Sequence, residues 1–412
     1  MPTRPRLLFL SQCLPYPPDS GVKIRGFNVL KQLRQAFDVT LLMFSRRNHQ
    51  PDASSLAIGR DALSELGLDV YEPVRIGSEE SSVRAAWDHL CSVATHRPFT
   101  FYQYRSDRFR GQLHDAVQRG GISLVHLDSI DLHGIVDDLP AVPIVCTHPD
   151  IESHALHRRA DREPSALRRH YIRHQARLVG DAERALCPAF AANLVVSDVD
   201  ADRLRALAPD AEVVVAPNGV DTGFFSPPPE RRGSAPSARV VFVGPTFFEP
   251  NREGVEFFLS SVWPLVRGGN PTASLHLIGR GSGDDQARFS AHPGVAVYGY
   301  VPDVRPHLGA ADCVVVPIRF GGGTRLKILD AWAMGRAVVS TSLGCEGLRA
   351  VDGVNIMVRD DPAEFAQAVS EVLADPHLRS RLGERGRCTV EQSYGWDAIG
   401  DGIRQLYLRL AQ

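Results

Sequence analysis

The sequence holds no apolar run near the roughly 20 residues that a membrane-crossing helix needs. Its basic start, Met1 to Arg6, leads into Leu7-Leu8-Phe9-Leu10, which is too brief for a signal-peptide core and reads as a first buried strand. A cytoplasmic location follows as the expectation, with the inner face of the membrane the one surface such a chain would visit. The seven cysteines are odd in number, scattered and without a C-x-x-C pair, which argues against both a disulfide framework and a zinc site. A net charge of −2 leaves no general pull toward nucleic acid or anionic membrane, so any such attraction has to be local. Long repeats and low-complexity tracts are missing. No G-x-G-x-x-G follows the first strand, which disfavours a dinucleotide-dependent oxidoreductase.

What is present is the composition of a soluble globular protein, 43% hydrophobic and 23% charged, in a chain of 412 residues that is too long for one ordinary core. Apolar runs at Arg6–Ser11, Asp38–Phe44, Ser123–Leu127, Pro143–Thr147, Ala192–Ser197 and Glu212–Ala216 alternate with helical stretches, the pattern of a doubly wound parallel sheet. A second series begins at Arg239–Gly244 and continues through Ser274–Gly279, Val295–Tyr298, Cys313–Pro317 and Ala337–Thr341. Between them lies F-F-S-P-P-P-E-R-R-G-S-A-P-S-A, a linker composition. The expected organisation is an N-terminal α/β domain over 1–222, a linker over 223–238, a second α/β domain over 239–394 and an amphipathic C-terminal helix over 395–412.

The segment Pro317 to Ser340 carries the most chemistry. Three consecutive glycines, Gly321, Gly322 and Gly323, follow a buried strand and let the backbone approach a ligand closely. Thr324 stands at a helix start whose free N–H groups and dipole favour an anion, and Arg325 and Lys327 add full positive charge. The competing reading is a tight surface turn.

That segment, G-G-G-T-R-L-K-I-L-D-A, resembles the nucleotide-sugar site of the retaining glycosyltransferases of family 4, in their more divergent branch. The resemblance covers essentially the whole chain and implies the GT-B fold, two Rossmann-like doubly wound parallel-sheet domains facing across a cleft. It implies that the loop amides and Thr324 face the donor diphosphate and sugar and that Asp330 reaches the ribose. The family's first Glu is absent, its place taken by Gly322. P-Y-P-P-D-S-G-V-K-I-R is similar to the family's first loop and places Gly21 and Lys23 at the diphosphate; the plain alternative is a proline-rich turn with solvated charges. T-H-P-D-I-E-S is similar to the family's His element and places His148 at the donor sugar, although a lone strand-end His is more often structural. Y-G-Y-V-P-D matches a turn whose backbone cradles the base, making Tyr300 and Val301 the candidates. P-N-G-V-D-T-G-F-F matches a strand-end signature in which Asn218 and Gly219 tolerate left-handed backbone and Asp221 accepts backbone N–H bonds. The family's Arg and Lys clamp is not kept in V-G-P-T-F-F-E-P-N-R.

The implied activity is transfer of a hexosyl group with retention, from a UDP- or GDP-sugar to a saccharide or lipid-linked acceptor in polysaccharide or glycoconjugate synthesis. The resemblance calls for no metal and no cofactor beyond the nucleotide-sugar co-substrate, and nucleic acid is not expected as a partner. The segment His157 to Arg184, rich in Arg and His, reads either as a surface for anionic membrane or as a solvated helical face. The aromatics Trp87, Phe99, Phe101, Tyr102 and Tyr104 read as an acceptor cleft or as core. The missing Glu and clamp keep open a degenerate sugar-nucleotide-binding scaffold, and the two-domain architecture a nucleotide-sugar epimerase.

Overall fold

The computed structural model describes residues 4–47, 52–227, 238–323 and 325–412. The chain divides into two compact units, one formed by residues up to Pro217 with Asp397–Gln412, the other by Asn218–Trp396. Most of the proline-rich linker, residues 228–237, and the candidate Thr324 lie outside the described residues.

The first unit is built on β1 (Arg6–Ser11), β2 (Asp38–Ser45), β3 (Asp69–Val70), β4 (Val74–Arg75), β5 (Ile122–Leu127), β6 (Ile144–His148), β7 (Ala192–Val195) and β8 (Val213–Val215). They form one parallel sheet in the order β3-β2-β1-β5-β6-β7-β8, with β4 added to β2. The central strands are buried on both faces, which is why they read as unbroken apolar runs. Leu8, Leu10, Phe44, Phe109, Val125 and Leu127 fill the core on one side. The C-terminal helix, Trp396–Leu410, closes this unit through Tyr407, which is fully buried and whose hydroxyl lies 2.6 Å from His126 Nδ1.

The second unit carries β9 (Arg239–Val243), β10 (Ser274–Ile278), β11 (Val295–Gly299), β12 (Cys313–Val316), β13 (Val338–Ser340) and β14 (Met357–Val358). Their order is β11-β10-β9-β12-β13-β14, again all parallel. In both sheets the chain winds outward in opposite directions from a central pair, β1 and β5 in the first unit, β9 and β12 in the second. Loops at the carboxyl ends of such a pair diverge and leave a crevice, the place where open parallel sheets bind ligands.

The strand-end signature after β8 takes a different form from the one expected. Asp221 Oδ1 does accept from the backbone of Gly223 and Phe224, at 3.0 and 2.8 Å. Neither Asn218 nor Gly219, however, has positive φ. Gly219 is needed for room, because a Cβ there would sit 2.8 Å from the Trp396 ring and 2.9 Å from the Tyr394 carbonyl.

Candidate functional site

In the second unit the loops after β9, β10, β11 and β12 are laced together at the carboxyl edge. Gly244 follows β9 and Gly279 follows β10, with φ of 156° and 147°. Gly244 N–H donates to the Ile278 carbonyl at 2.8 Å, Thr246 N–H to Arg280 at 2.7 Å and Gly279 N–H to Gly299 at 2.7 Å. The backbones touch so closely that a Cβ on Gly279 would lie 2.2 Å from the Gly244 oxygen.

Lys327, on the first turn of the helix Leu326–Ala333, reaches back to the start of the helix Glu249–Phe257 that follows β9. Its ammonium donates to Asn251 Oδ1 at 2.7 Å and stands 4.3 Å from the centre of the Phe242 ring. Asn251 is held in turn by its own amide, which donates to the Pro245 carbonyl at 2.9 Å. Gly244 makes room for this contact, since a Cβ there would stand 2.7 Å from Nζ. Burial, with Arg325 adding repulsion, lowers the Lys327 pKa to about 7, and Asp330 offsets this only in part. Asp330 is pushed up to about 7 by burial against the pull of Lys327, and its carboxyl makes no hydrogen bond among the described residues. A lysine with a single hydrogen-bond acceptor beside a helix start has spare donors for an anion.

The glycine turn lies at the same edge. Gly321 and Gly323 have φ of 98° and 75°, so these two positions exploit the freedom expected of them, and Gly322 accepts from the Arg325 guanidinium through its carbonyl. Gly321 packs on Pro250 in the first turn of the helix Glu249–Phe257, a Cβ there standing 3.1 Å from its ring. Tyr300 and Val301 follow β11; Tyr300 is 59% exposed, and the Arg280 guanidinium lies 4.5 Å over its ring. Gly321, Gly322, Gly323, Tyr300 and Val301 thus occupy loops of one sheet edge, and Lys327 and Asp330 the helix Leu326–Ala333 that follows one of them. The sequence reading missed Gly244, Asn251 and Arg280. The strand-end glycine was a usable signal, but the contact of Asn251 with Lys327 spans 76 residues and left none.

Gly21, Lys23 and His148 belong to the first unit. Gly21 opens the helix Gly21–Leu33. Lys23 differs from its expected role as a charge facing a ligand: it is fully buried and paired with Asp19 at 2.5 Å. Asp19 stands just before the helix, within reach of its first turn, and the pairing is what lets the ammonium leave water. Arg25 is also buried, and its Nη1 donates to the Ala216 carbonyl at 2.9 Å.

His148 ends β6 inside the unit, 1% exposed, with Nε2 3.0 Å from Asn193 Oδ1. The Asn193 amide nitrogen donates to the carbonyls of Cys187 and Glu212, so its oxygen faces the imidazole and Nε2 carries the proton. Burial lowers the His148 pKa to about 4, so the ring is neutral at pH 7 and Nδ1 keeps its lone pair, without a hydrogen-bond donor among the described residues. At the central pair β1 and β5, Asp128 was not singled out from sequence. It is 7% exposed, accepts from Gln12 N–H at 2.8 Å and from the Ser11 hydroxyl, and burial raises its pKa to about 7. It stands one residue beyond a buried strand in V-H-L-D, the same signal that drew attention to His148. Phe101, Tyr102 and Tyr104 are core side chains, whereas Trp87 is 60% exposed.

Residues 237–375 match the family described as glycosyl transferases group 1. The chain is 31% identical over 214 residues to the lipopolysaccharide core biosynthesis glycosyltransferase LpsE of Rhizobium meliloti, covering 50% of this chain and 61% of that one. It is 29% identical over 266 residues to a D-inositol 3-phosphate glycosyltransferase of Kineococcus radiotolerans, covering 54% and 58%. The chain therefore spans only about three fifths of the length of these relatives. Among solved structures, sucrose-phosphate synthase from Thermosynechococcus elongatus superposes with a TM-score of 0.71 at 17% identity, over 98% of this chain and 99% of that one. Anabaena Alr3699/HepE in complex with UDP gives 0.66 at 14% identity, over 98% and 100%. The fold is GT-B, two parallel-sheet α/β domains.

Proposed function

We propose that this protein is a retaining, nucleotide-sugar-dependent glycosyltransferase that moves a hexosyl group to a saccharide or lipid-linked acceptor in polysaccharide or glycoconjugate synthesis. The observation that carries the reading is the second unit's sheet edge, where Lys327, on the first turn of a helix and donating to Asn251, follows the glycine turn 321–323 with its positive-φ Gly321 and Gly323. The match of residues 237–375 to glycosyl transferases group 1 and the UDP complex of HepE support the same reading. Lys327 and the helix amides take the charge of the leaving diphosphate, with no metal in that role. Asp330 is assigned to the ribose, Tyr300 and Val301 to the base. Retention rests on attack from the face of the leaving phosphate. On the first unit, Asp128 and His148 are the carboxyl-edge groups assigned to the acceptor and the transferred sugar.

Calorimetric titration with UDP, GDP and ADP tests the donor site. One of the three is expected to bind, and to be displaced by its own sugar conjugate. No binding by any of them at millimolar concentration would remove the site.

A further inference from the structure

Arg325 stands between the glycine turn and the helix Leu326–Ala333. Sequence offers it as a charge for an anion, but the structure gives its guanidinium another occupation. The side chain folds back on its own turn: Nη1 donates to the Gly322 carbonyl, and Nη2 reaches the Phe320 carbonyl at 3.5 Å. A Cβ on Gly321 would stand 3.5 Å from that same Nη2. The guanidinium therefore lies along the inner side of the turn.

Planar peptide groups carry this contact further. In a trans peptide the C=O and the following N–H point in opposite directions. The Phe320 carbonyl shares its plane with the Gly321 amide, and the Gly322 carbonyl shares its plane with the Gly323 amide. A guanidinium that holds both carbonyls turns both N–H groups away from itself. These are the two positions of the turn with positive φ, 98° and 75°. Neither N–H donates to another group among the described residues. A lysine offers one ammonium where the planar fork offers nitrogens at a fixed separation, so the two are not equivalent here.

We propose that Arg325 is a positioning residue that presets the amides of Gly321 and Gly323 to receive the donor diphosphate. The inference rests on the donor-site reading above and adds to it what keeps a three-glycine turn in shape. Consecutive glycines have wide backbone freedom, and ordering an unbraced turn around a ligand would oppose binding. A guanidinium committed to the turn's carbonyls removes that freedom beforehand, and Lys327 is left as the charge that meets the phosphate.

The test uses the full chain with isotope-labelled glycine, beside Arg325→Ala and Arg325→Lys, first without nucleotide and then titrated with UDP, GDP and ADP. Amide order parameters of Gly321 and Gly323 are expected at about 0.85 in the wild type and below about 0.6 in both variants, with the glycines of other loops unmoved. The nucleotide that binds should bind at least ~10-fold more weakly to both variants. Added methylguanidinium should restore the affinity of Arg325→Ala, and methylammonium should not. Arg325→Lys keeps the charge and nearly the length. Wild-type affinity in that variant, or equal rescue by the two cations, would make Arg325 a plain charge for the phosphate and overturn the proposal. Rigid Gly321 and Gly323 in Arg325→Ala would overturn it as well. A wild type that binds none of the three nucleotides removes the donor-site reading by itself, and the order parameters then decide alone whether Arg325 holds the turn.

Discussion

Lys327 shows how one residue's surroundings set its chemistry. A lysine with its pKa lowered to about 7 is only partly charged at neutral pH, and a bound diphosphate favours the charged form. Binding should therefore take up a proton. The sign follows: nucleoside diphosphate affinity is greatest below pH 7 and falls as pH rises above it, with ionisation of Asp330 adding to the fall. Lys327→Ala is expected to weaken binding by about 1.5–3 kcal/mol near pH 6.5 and to flatten the pH dependence, both read by calorimetry. An unchanged affinity would place the diphosphate elsewhere. His148 poses the opposite case, a candidate whose side chain is interior. His148→Ala strips Asn193 Oδ1 of its donor inside the sheet and should lower stability by about 1–3 kcal/mol in chemical denaturation. Unchanged stability with lost turnover would assign the imidazole to the reaction centre alone. Sequence made Lys327 legible as a charge beside a glycine turn, but not its partner Asn251, and it placed Lys23 at a diphosphate without showing that its ammonium is buried against Asp19.

Elements were legible where burial is two-sided. The strands β1, β2, β9, β10 and β12 are continuous apolar runs because helices cover both faces of a parallel sheet, so their positions follow from composition alone. The two-residue strands β3, β4 and β14 have no such signature, since pairing with a neighbour defines them. The Ser82–Thr95 helix misleads in another way: its periodicity marks an apolar face, which the usual rule would turn inward, and only the hydrogen bonds of Ser92 and His89 show which side is packed. The loops of the second unit's sheet edge depend on close backbone contact. Gly279→Ala would drive a Cβ against the Gly244 carbonyl in a backbone region that L-residues rarely adopt. The expected result is a loss of about 1–3 kcal/mol in unfolding free energy together with weakened nucleotide binding. A variant with wild-type stability and affinity would show that the loops yield without consequence.

At the scale of the whole molecule, two separate sheets each present a crevice at the carboxyl ends of a central strand pair, one rich in glycine and positive charge, the other lined by Asp128 and strand-end polar groups. Among the described residues no helix is long and apolar enough to cross a membrane. The two series of strands were readable because each repeats the same apolar pattern on either side of a proline-rich break. The transferred sugar and its acceptor were not, because they depend on side chains gathered from distant segments. The most direct test of the central claim is nucleotide release by the full chain from a panel of UDP-, GDP- and ADP-sugars. The account predicts that sugars of one nucleotide are turned over, that the anomeric configuration is retained in the product, and that Lys327→Ala suppresses the rate. Tight binding of a nucleotide-sugar without turnover in the presence of varied saccharide and lipid-linked acceptors, or release that is indifferent to Lys327, would contradict it.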